Sequence, residues 1–152
     1  MLGFGKKGDI NLKIEKTHFS PGETITGAVS LKLKKPQKAK GFSVIFYGEE
    51  EINEYDEQGM QKTDRNKVYE FAHSLDEEKE YQAGEELSYN FEIKIPADIL
   101  MGTQAPEGVL GKIAQVAKYM SGRRGIIYWY LMARLDIPWG RDVIKKIKIT
   151  VG

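Results

Sequence analysis

A tight turn followed at once by an alternating strand is the feature that most constrains the fold of this chain. Pro21 fixes φ at the first corner of the turn, and Gly22 can adopt the positive φ that the second corner of a type II turn requires. After the turn, one parity of the strand carries only apolar residues and a glycine: Ile25, Gly27, Val29, Leu31 and Leu33. This period of two predicts an antiparallel strand with one buried face.

Several further segments show the same alternation. They are residues 9–15, 39–52, 67–76, 86–95, 125–137 and 143–151. Because these strands follow one another through short turns rather than through helices, the pattern disfavours a parallel α/β sheet. It predicts an all-β fold of two antiparallel sheets packed face to face, with a closed barrel as the alternative.

One segment has helical rather than strand periodicity. Its apolar residues are spaced by three and four: Val109, Leu110, Ile113, Val116, Ala117 and Met120. This stripe predicts one short α-helix over residues 109–120, inside an insertion between strands that spans residues 101–122. Such a face packs on its own sheet more often than on a membrane. Docking on the sheet is therefore the favoured interpretation, and peripheral membrane contact is the alternative.

Composition limits the class of protein. The 152 residues suit one domain over 1–152, with 41% hydrophobic and 30% charged residues. The absence of cysteine excludes disulfides, thiolate metal sites and a cysteine nucleophile. The absence of cysteine and of a signal-peptide pattern at the N-terminus together predict a cytoplasmic protein. The high fraction of charged residues favours a thermophile. A net charge of +1 argues against a dedicated nucleic-acid binder.

Four blocks of the sequence, taken in order, resemble the N-terminal domain of arrestin-like proteins. They are Phe19–Gly27 with Leu31, Gly41–Gly48, Tyr89–Pro96 and Gly125–Trp139. No block is specific by itself, but their ordered occurrence covers most of the chain. The family includes bacterial sporulation-control proteins, and the chain resembles a prokaryotic member.

The resemblance implies an immunoglobulin-like antiparallel β-sandwich of the arrestin N-domain type, working as an adaptor or scaffold without catalysis. Eukaryotic arrestins carry two such domains, whereas this chain has room for one. The segment 101–122 also departs from the short loop of many members. No residues here match the polar core or the phosphate-sensing positions of arrestins, so receptor binding is not implied.

Motifs for catalysis or cofactor binding are scarce. Residues 3–8 match G-x-G-x-x-G by letter but lack the preceding strand and following helix that a phosphate-binding loop needs. His18 and His73 are the only histidines, and their spacing suggests neither a catalytic pair nor a metal site. The acidic stretch 49–57 lacks the ligand pattern of a calcium loop and is predicted to be a solvated strand end. No cofactor or metal is expected.

Weak partner-binding candidates lie near the end of the sequence. Lys146 and Lys148 fall on the strand face opposite Ile147 and Ile149. Trp139 follows a proline at a strand end, where it is predicted to be exposed. The terminal strands, residues 10–14 and 146–151, are predicted to be sheet edges. An open edge presents unpaired backbone groups that invite an added strand, and lysines on it select an acidic or a symmetric partner.

These observations favour a non-enzymatic protein-binding module that uses sheet edges for an unidentified protein partner or for homo-oligomerisation. Two alternatives stay open: a small β-sandwich hydrolase or metal-dependent enzyme, and a structural subunit that only self-associates. A cleft with converging histidines and carboxylates would favour the enzyme. A long unpaired strand edge would favour binding or assembly.

The helical stripe generates the first prediction. Replacing Ile113 with Asp places a charge in the apolar face, so we expect the free energy of unfolding to fall by roughly 2–4 kcal/mol. Thermal or denaturant unfolding measures the change. Unchanged stability combined with lost binding to liposomes would instead make the helix a membrane element.

Overall fold

The computed structural model describes residues 7–100 and 126–152, and every regular element in these ranges is a β-strand. The strands are β1 (Gly8–Ile14), β2 (His18–Phe19), β3 (Thr24–Leu33), β4 (Gln37–Ala39), β5 (Gly41–Tyr55), β6 (Gln61–Asp76), β7 (Lys79–Tyr81), β8 (Glu86–Lys94), β9 (Ile126–Asp136) and β10 (Val143–Val151). The helix predicted over 109–120 and the insertion 101–122 that contains it lie outside the described residues.

Two main sheets form the β-sandwich that the sequence predicts. A three-stranded sheet has the order β1-β3-β8, and a five-stranded sheet has the order β2-β10-β9-β5-β6. The strands β4 and β7 form a separate two-stranded ribbon. Neighbouring strands are antiparallel except for β2, which pairs in parallel with the end of β10. The predicted all-β antiparallel fold is confirmed.

The core lies between the two sheets and follows the alternation of the sequence. In β3, Ile25, Val29 and Leu31 are buried, whereas the residues between them face outward or are half-buried. Across the sandwich, the inner face of β9 contributes Trp129, Leu131, Ala133 and Leu135 to the same cluster. In strands with a single apolar face, such as β3 and β8, burial of that face sets which side of the sheet faces inward.

The Pro21–Gly22 turn has the predicted geometry. Gly22 has a φ of +91°, and the backbone N–H of Glu23 donates to the carbonyl oxygen of Ser20 at 3.0 Å, which closes a four-residue turn. The turn also bonds to the end of β8, because the Gly22 N–H donates to the Ile95 carbonyl at 3.0 Å. It therefore sets where β3 begins against β8.

The β5–β6 hairpin is longer than the sequence pattern suggests. β5 continues to Tyr55 and β6 starts at Gln61, rather than near residues 52 and 67. These extensions carry polar residues on both faces, so they have no period-two signal. The prediction of a solvated strand end for residues 49–57 was wrong at Glu50, whose side chain is fully buried. The short strands β2, β4 and β7 were missed because two or three residues cannot show a period.

A glycine on the inner face of β5 lets an indole ring pack directly on the strand. Gly48 lies opposite Trp129 in the β5–β9 register, and a Cβ at position 48 would lie 2.6 Å from Cζ3 of that ring. The indole then stacks on Phe46 with a centroid separation of 5.3 Å, and Tyr69 of β6 lies at 6.2 Å. Because Gly48 has no side chain, the Trp129 ring can lie against β5. One aromatic cluster therefore joins β5, β6 and β9.

We expect Gly48→Ala to lower the free energy of unfolding by roughly 1–3 kcal/mol, because the added methyl group must displace the Trp129 ring. Denaturant unfolding measures the loss, and near-UV circular dichroism reports the displaced indole. Gly152→Ala is the matched control, since nothing lies within 4 Å of a Cβ at that position. An unchanged unfolding midpoint for Gly48→Ala would contradict this packing.

Candidate binding edges and the exposed tryptophan

The strand predicted from residues 10–14 lies at a sheet edge. β1 pairs with β3 on one side and is the first strand of its sheet. The Lys34 N–H donates to the Lys7 carbonyl at 2.9 Å, which extends the ladder toward the N-terminus. Because hydrogen-bonded pairs alternate along an antiparallel ladder, the backbone groups of Ile10 and Leu12 point away from β3.

The strand at the end of the sequence is an edge over most, but not all, of its length. β10 pairs with β9 from Val143 to Ile149, and on its other side β2 contacts only Thr150 and Val151. The predicted edge over 146–151 is therefore covered at its last residues. Within the described part of the chain, no strand pairs with the far side of β10 before Thr150.

The hydrogen bonds to the β2 segment show which backbone groups of β10 point outward. The N–H groups of Thr150 and Gly152 donate to the carbonyls of Thr17 and Phe19 at 2.8 and 2.9 Å, so they point away from β9. Backbone groups of alternate residues in a strand point to the same side. The N–H and C=O groups of Lys148, and of Lys146 and Ile144 before it, therefore face the open edge.

The two lysines proposed from sequence lie on the outer face of the five-stranded sheet. Lys146 Nζ lies 4.4 Å from the centroid of the Tyr130 ring, and Lys148 Nζ lies 4.0 Å from that of Tyr128. These cation–π contacts position the ammonium groups over β9 without neutralising them. Tyr130 also stacks on Tyr47 of β5 at 5.3 Å. The lysines thus hold positive charge over the tyrosines of β9, one strand in from the edge.

Sequence reasoning did not identify this aromatic surface. Its signal is the parity of β9, where Tyr128 and Tyr130 alternate with the buried Trp129 and Leu131 and therefore share the outer face. The lateral alignment with Tyr47 depends on the β5–β9 register, which only the folded structure specifies.

The third candidate, Trp139, is fully exposed at 104% of its reference area. It lies in the turn between β9 and β10, so all three candidate residues belong to one hairpin. Its φ of +63° is in the left-handed region, which a bulky L-residue rarely adopts. Trp139 is therefore exposed, as its position after Pro138 predicted. The sequence did not indicate the backbone strain at this residue.

A carboxylate holds the backbone beside this tryptophan. Asp142 accepts hydrogen bonds from Arg134 Nε at 2.7 Å and from the Ile137 N–H at 2.9 Å. The hydrogen bond to Asp142 raises the pKa of the Arg134 guanidinium, which stays charged. These bonds connect both sides of the turn, so Trp139 extends from an ordered hairpin.

An open cleft of about 290 Å³ at one end of the sandwich contains the main cluster of charged side chains. Asp76 accepts hydrogen bonds there from Tyr89 Oη and forms an ion pair with Lys79, each at 2.7 Å. Burial opposes ionisation of Asp76, but the bonds from Lys79, Tyr89 and the Glu77 N–H outweigh it and hold its pKa below the usual value. The Asp76 carboxylate is thus held in place by structural contacts.

The histidines are not brought together. His18 is in β2 and His73 is in β6, at opposite edges of the five-stranded sheet, so four strand spacings separate them laterally by roughly 19 Å. Among residues 7–100 and 126–152, no group of histidine, aspartate and glutamate side chains could hold a metal ion. In the same ranges, no helix is long and apolar enough to cross a membrane.

The sheet orders and their alternating core define the class of the fold. The chain has the arrestin-like β-sandwich fold, as the sequence predicted. Among solved structures it is similar to Spo0M, sporulation control protein, from Bacillus subtilis, with a TM-score of 0.62 and 18% sequence identity. The match covers 95% of this chain and 49% of that one, so the chain spans about half its length. No family model and no curated protein matches the sequence.

The strained turn generates a prediction about stability. We expect Trp139→Gly to have a free energy of unfolding about 1 kcal/mol higher than that of Trp139→Ala, because glycine adopts a positive φ without a Cβ penalty. Both variants remove the indole, so the comparison isolates backbone strain. Denaturant unfolding measures the difference, and equal stabilities would show that the turn is relaxed.

Proposed function

We propose that this chain is a non-enzymatic protein-binding module, an adaptor or scaffold of the arrestin-like type. It binds its partner by pairing an extended segment with an open sheet edge. The observation that carries this proposal is the outer side of β10, where three successive outward-facing residues lack a paired strand among the described residues. Unpaired backbone donors and acceptors on an edge are a template for strand addition.

The β9–β10 hairpin supplies further binding features. Trp139 offers a large exposed indole, and exposed tryptophan is enriched among residues that dominate binding energy. Lys146 and Lys148 add positive charge next to the edge. Because backbone, aromatic and charged groups lie on one hairpin, a partner could use all three kinds of contact.

The alternative of a hydrolase or metal-dependent enzyme has less support. Its two histidines lie at opposite edges of the five-stranded sheet, and Asp76 in the 290 Å³ cleft is held by Lys79 and Tyr89. The solved structure that resembles this chain is that of a sporulation control protein, and a control function is in keeping with binding rather than catalysis. A cytoplasmic location is part of the proposal, because cysteine is absent.

Homo-oligomerisation through the same edges is the second candidate, since any open edge can pair with another copy. The edge of β1 and the edge of β10 are both available for this by their positions in the sheets. Sedimentation velocity over a range of concentrations distinguishes a self-associating subunit from a module that binds other proteins.

The proposal is tested by removing outward-facing N–H groups with proline. We expect Lys148→Pro on β10 or Ile10→Pro on β1 to abolish capture of a native partner, because proline cannot donate to an added strand. Pull-down from the native cell lysate with mass spectrometry identifies the partners. Lys148→Ala and Ile10→Val are matched controls that keep the N–H group.

Circular dichroism and thermal unfolding establish that the proline variants are folded. If both folded variants retain every captured partner and the association state of the parent chain, strand addition at these edges is not the mechanism.

A further inference from the structure

We propose that this chain forms a two-fold dimer in which the exposed indole of Trp139 from each copy fills a cleft beside Pro138 on the other copy. The inference goes beyond the proposed function, because the contact uses neither sheet edge. It rests on three features of one surface: a protruding indole, an open cleft next to it, and side chains of both charges around that cleft.

The protruding group is the side chain of Trp139, in the turn between β9 and β10. The indole is fully exposed, so no part of its own chain covers it. The hydrogen bonds that Asp142 accepts from Arg134 and from the Ile137 N–H hold the turn in place. A group presented by an ordered turn loses little freedom on binding, and strained residues cluster where proteins bind ligands. The turn therefore presents the indole ready for a contact.

The cleft next to the indole lies between the β4–β7 ribbon and the β9–β10 turn and has a volume of about 330 Å³. Ale surface is supplied by Ala39 and Pro138, and charged side chains complete the lining: Lys38, Glu78, Lys79 and Glu80. A cavity of about 150 Å³ holds a benzene ring, so this larger cleft has room for an indole.

The arrangement of indole and cleft points to a second copy of the chain as the occupant. Pro138 lines the cleft and Trp139 is the next residue, so the two features are adjacent on one surface. A two-fold axis that passes between them places each indole opposite the cleft of the other copy. Such an isologous contact needs only one self-complementary patch, whereas a different protein would have to supply both an indole-sized group and a matching cleft.

The charges around the cleft are also self-complementary. Within residues 7–100 and 126–152, Lys38, Glu78 and Glu80 form no ion pair. Because the cleft carries two lysines and two glutamates, a lysine of one copy can lie opposite a glutamate of the other across the two-fold axis. Opposite charges that meet in this way favour the correct orientation of the two copies.

The contact is small, so we expect the dimer to be weak and reversible. A buried tryptophan removes roughly 150–250 Å² from water, and two indoles with the cleft walls form an interface at the low end of specific contacts. We therefore expect a dissociation constant between about 10 µM and 300 µM.

Sedimentation velocity of the whole chain, at concentrations up to about 1 mM, tests whether this dimer forms. We expect Trp139→Ala to weaken association at least about tenfold, because a fully buried tryptophan is a typical hot spot. Ile144→Ala is the matched control, since Ile144 is an exposed apolar residue of the same hairpin that does not line the cleft. It should change the dissociation constant by less than about threefold.

Acrylamide quenching of tryptophan fluorescence locates the contact. Trp129 is buried, so quenching reports chiefly on Trp139. We expect the quenching constant to fall at least about twofold as the concentration rises through the dissociation constant, because the indole leaves water in the dimer. Lys148→Pro should show the same fall, since the contact uses no strand edge. A dimer with an unchanged quenching constant would overturn the inference.

Charge variants test the cleft, after circular dichroism has established that they are folded. Lys38→Glu makes its lining acidic and Glu78→Lys/Glu80→Lys makes it basic, so each variant alone should dimerise at least about tenfold more weakly than the parent chain. An equimolar mixture of the two should regain association, because clefts of opposite charge then face each other. A mixture as weak as either variant alone would contradict the proposed interface.

The outcomes distinguish this inference from the proposed function. A chain that stays monomeric at about 1 mM would overturn the inference and leave partner binding at the edges untouched. A dimer that Lys148→Pro or Ile10→Pro abolishes and Trp139→Ala keeps would also overturn it, because edge pairing would then join the copies. If instead the proline variants keep every captured partner and Trp139→Ala abolishes the dimer, the proposed function fails and this inference stands.

Discussion

Contact between the inner faces of the two sheets is the interaction on which the rest of this structure depends. Neither a three-stranded nor a five-stranded sheet of this composition can keep its apolar face in water, so each supplies the cover for the other. On the inner face of the five-stranded sheet, the Trp129 ring lies on the backbone of Gly48 and stacks on Phe46. This ring contacts residues of β5 and β6 as well as lying on β9, so it helps to fix the register of these three strands. That register sets which side chains are neighbours on the outer face of the five-stranded sheet.

The same architecture leaves strand edges that no other strand among the described residues covers completely. A sandwich of two open sheets leaves an edge at each end of each sheet, and folding cannot satisfy the outward backbone groups there. β2 covers only the last residues of β10, and the lysines of β10 discourage pairing between identical edges. The strand β10 carries three lysines and no acidic residue, so this edge is positively charged.

The β9–β10 hairpin concentrates these features because its two strands have different surroundings. β9 lies inside the sheet, and its outward-facing tyrosines form cation–π contacts with Lys146 and Lys148 of β10. The turn between them places Trp139 entirely in solvent with a left-handed backbone, held by Asp142. Strain at an exposed aromatic residue opposes stability, so burial of the indole within the chain does not account for this conformation.

The sequence by itself determined the all-β class, the Pro21–Gly22 turn and the buried parity of strands such as β3 and β8, because period-two alternation and turn chemistry are local properties. The arrestin-like fold followed from the resemblance of ordered sequence blocks to that family. It also placed Trp139 in an exposed turn. Only the tertiary structure decided that β2 covers the end of β10, that Glu50 is buried, and that Tyr47 aligns with Tyr130. These features depend on strand order and register, which arise from contacts between residues far apart in sequence and leave no periodic trace in any single segment.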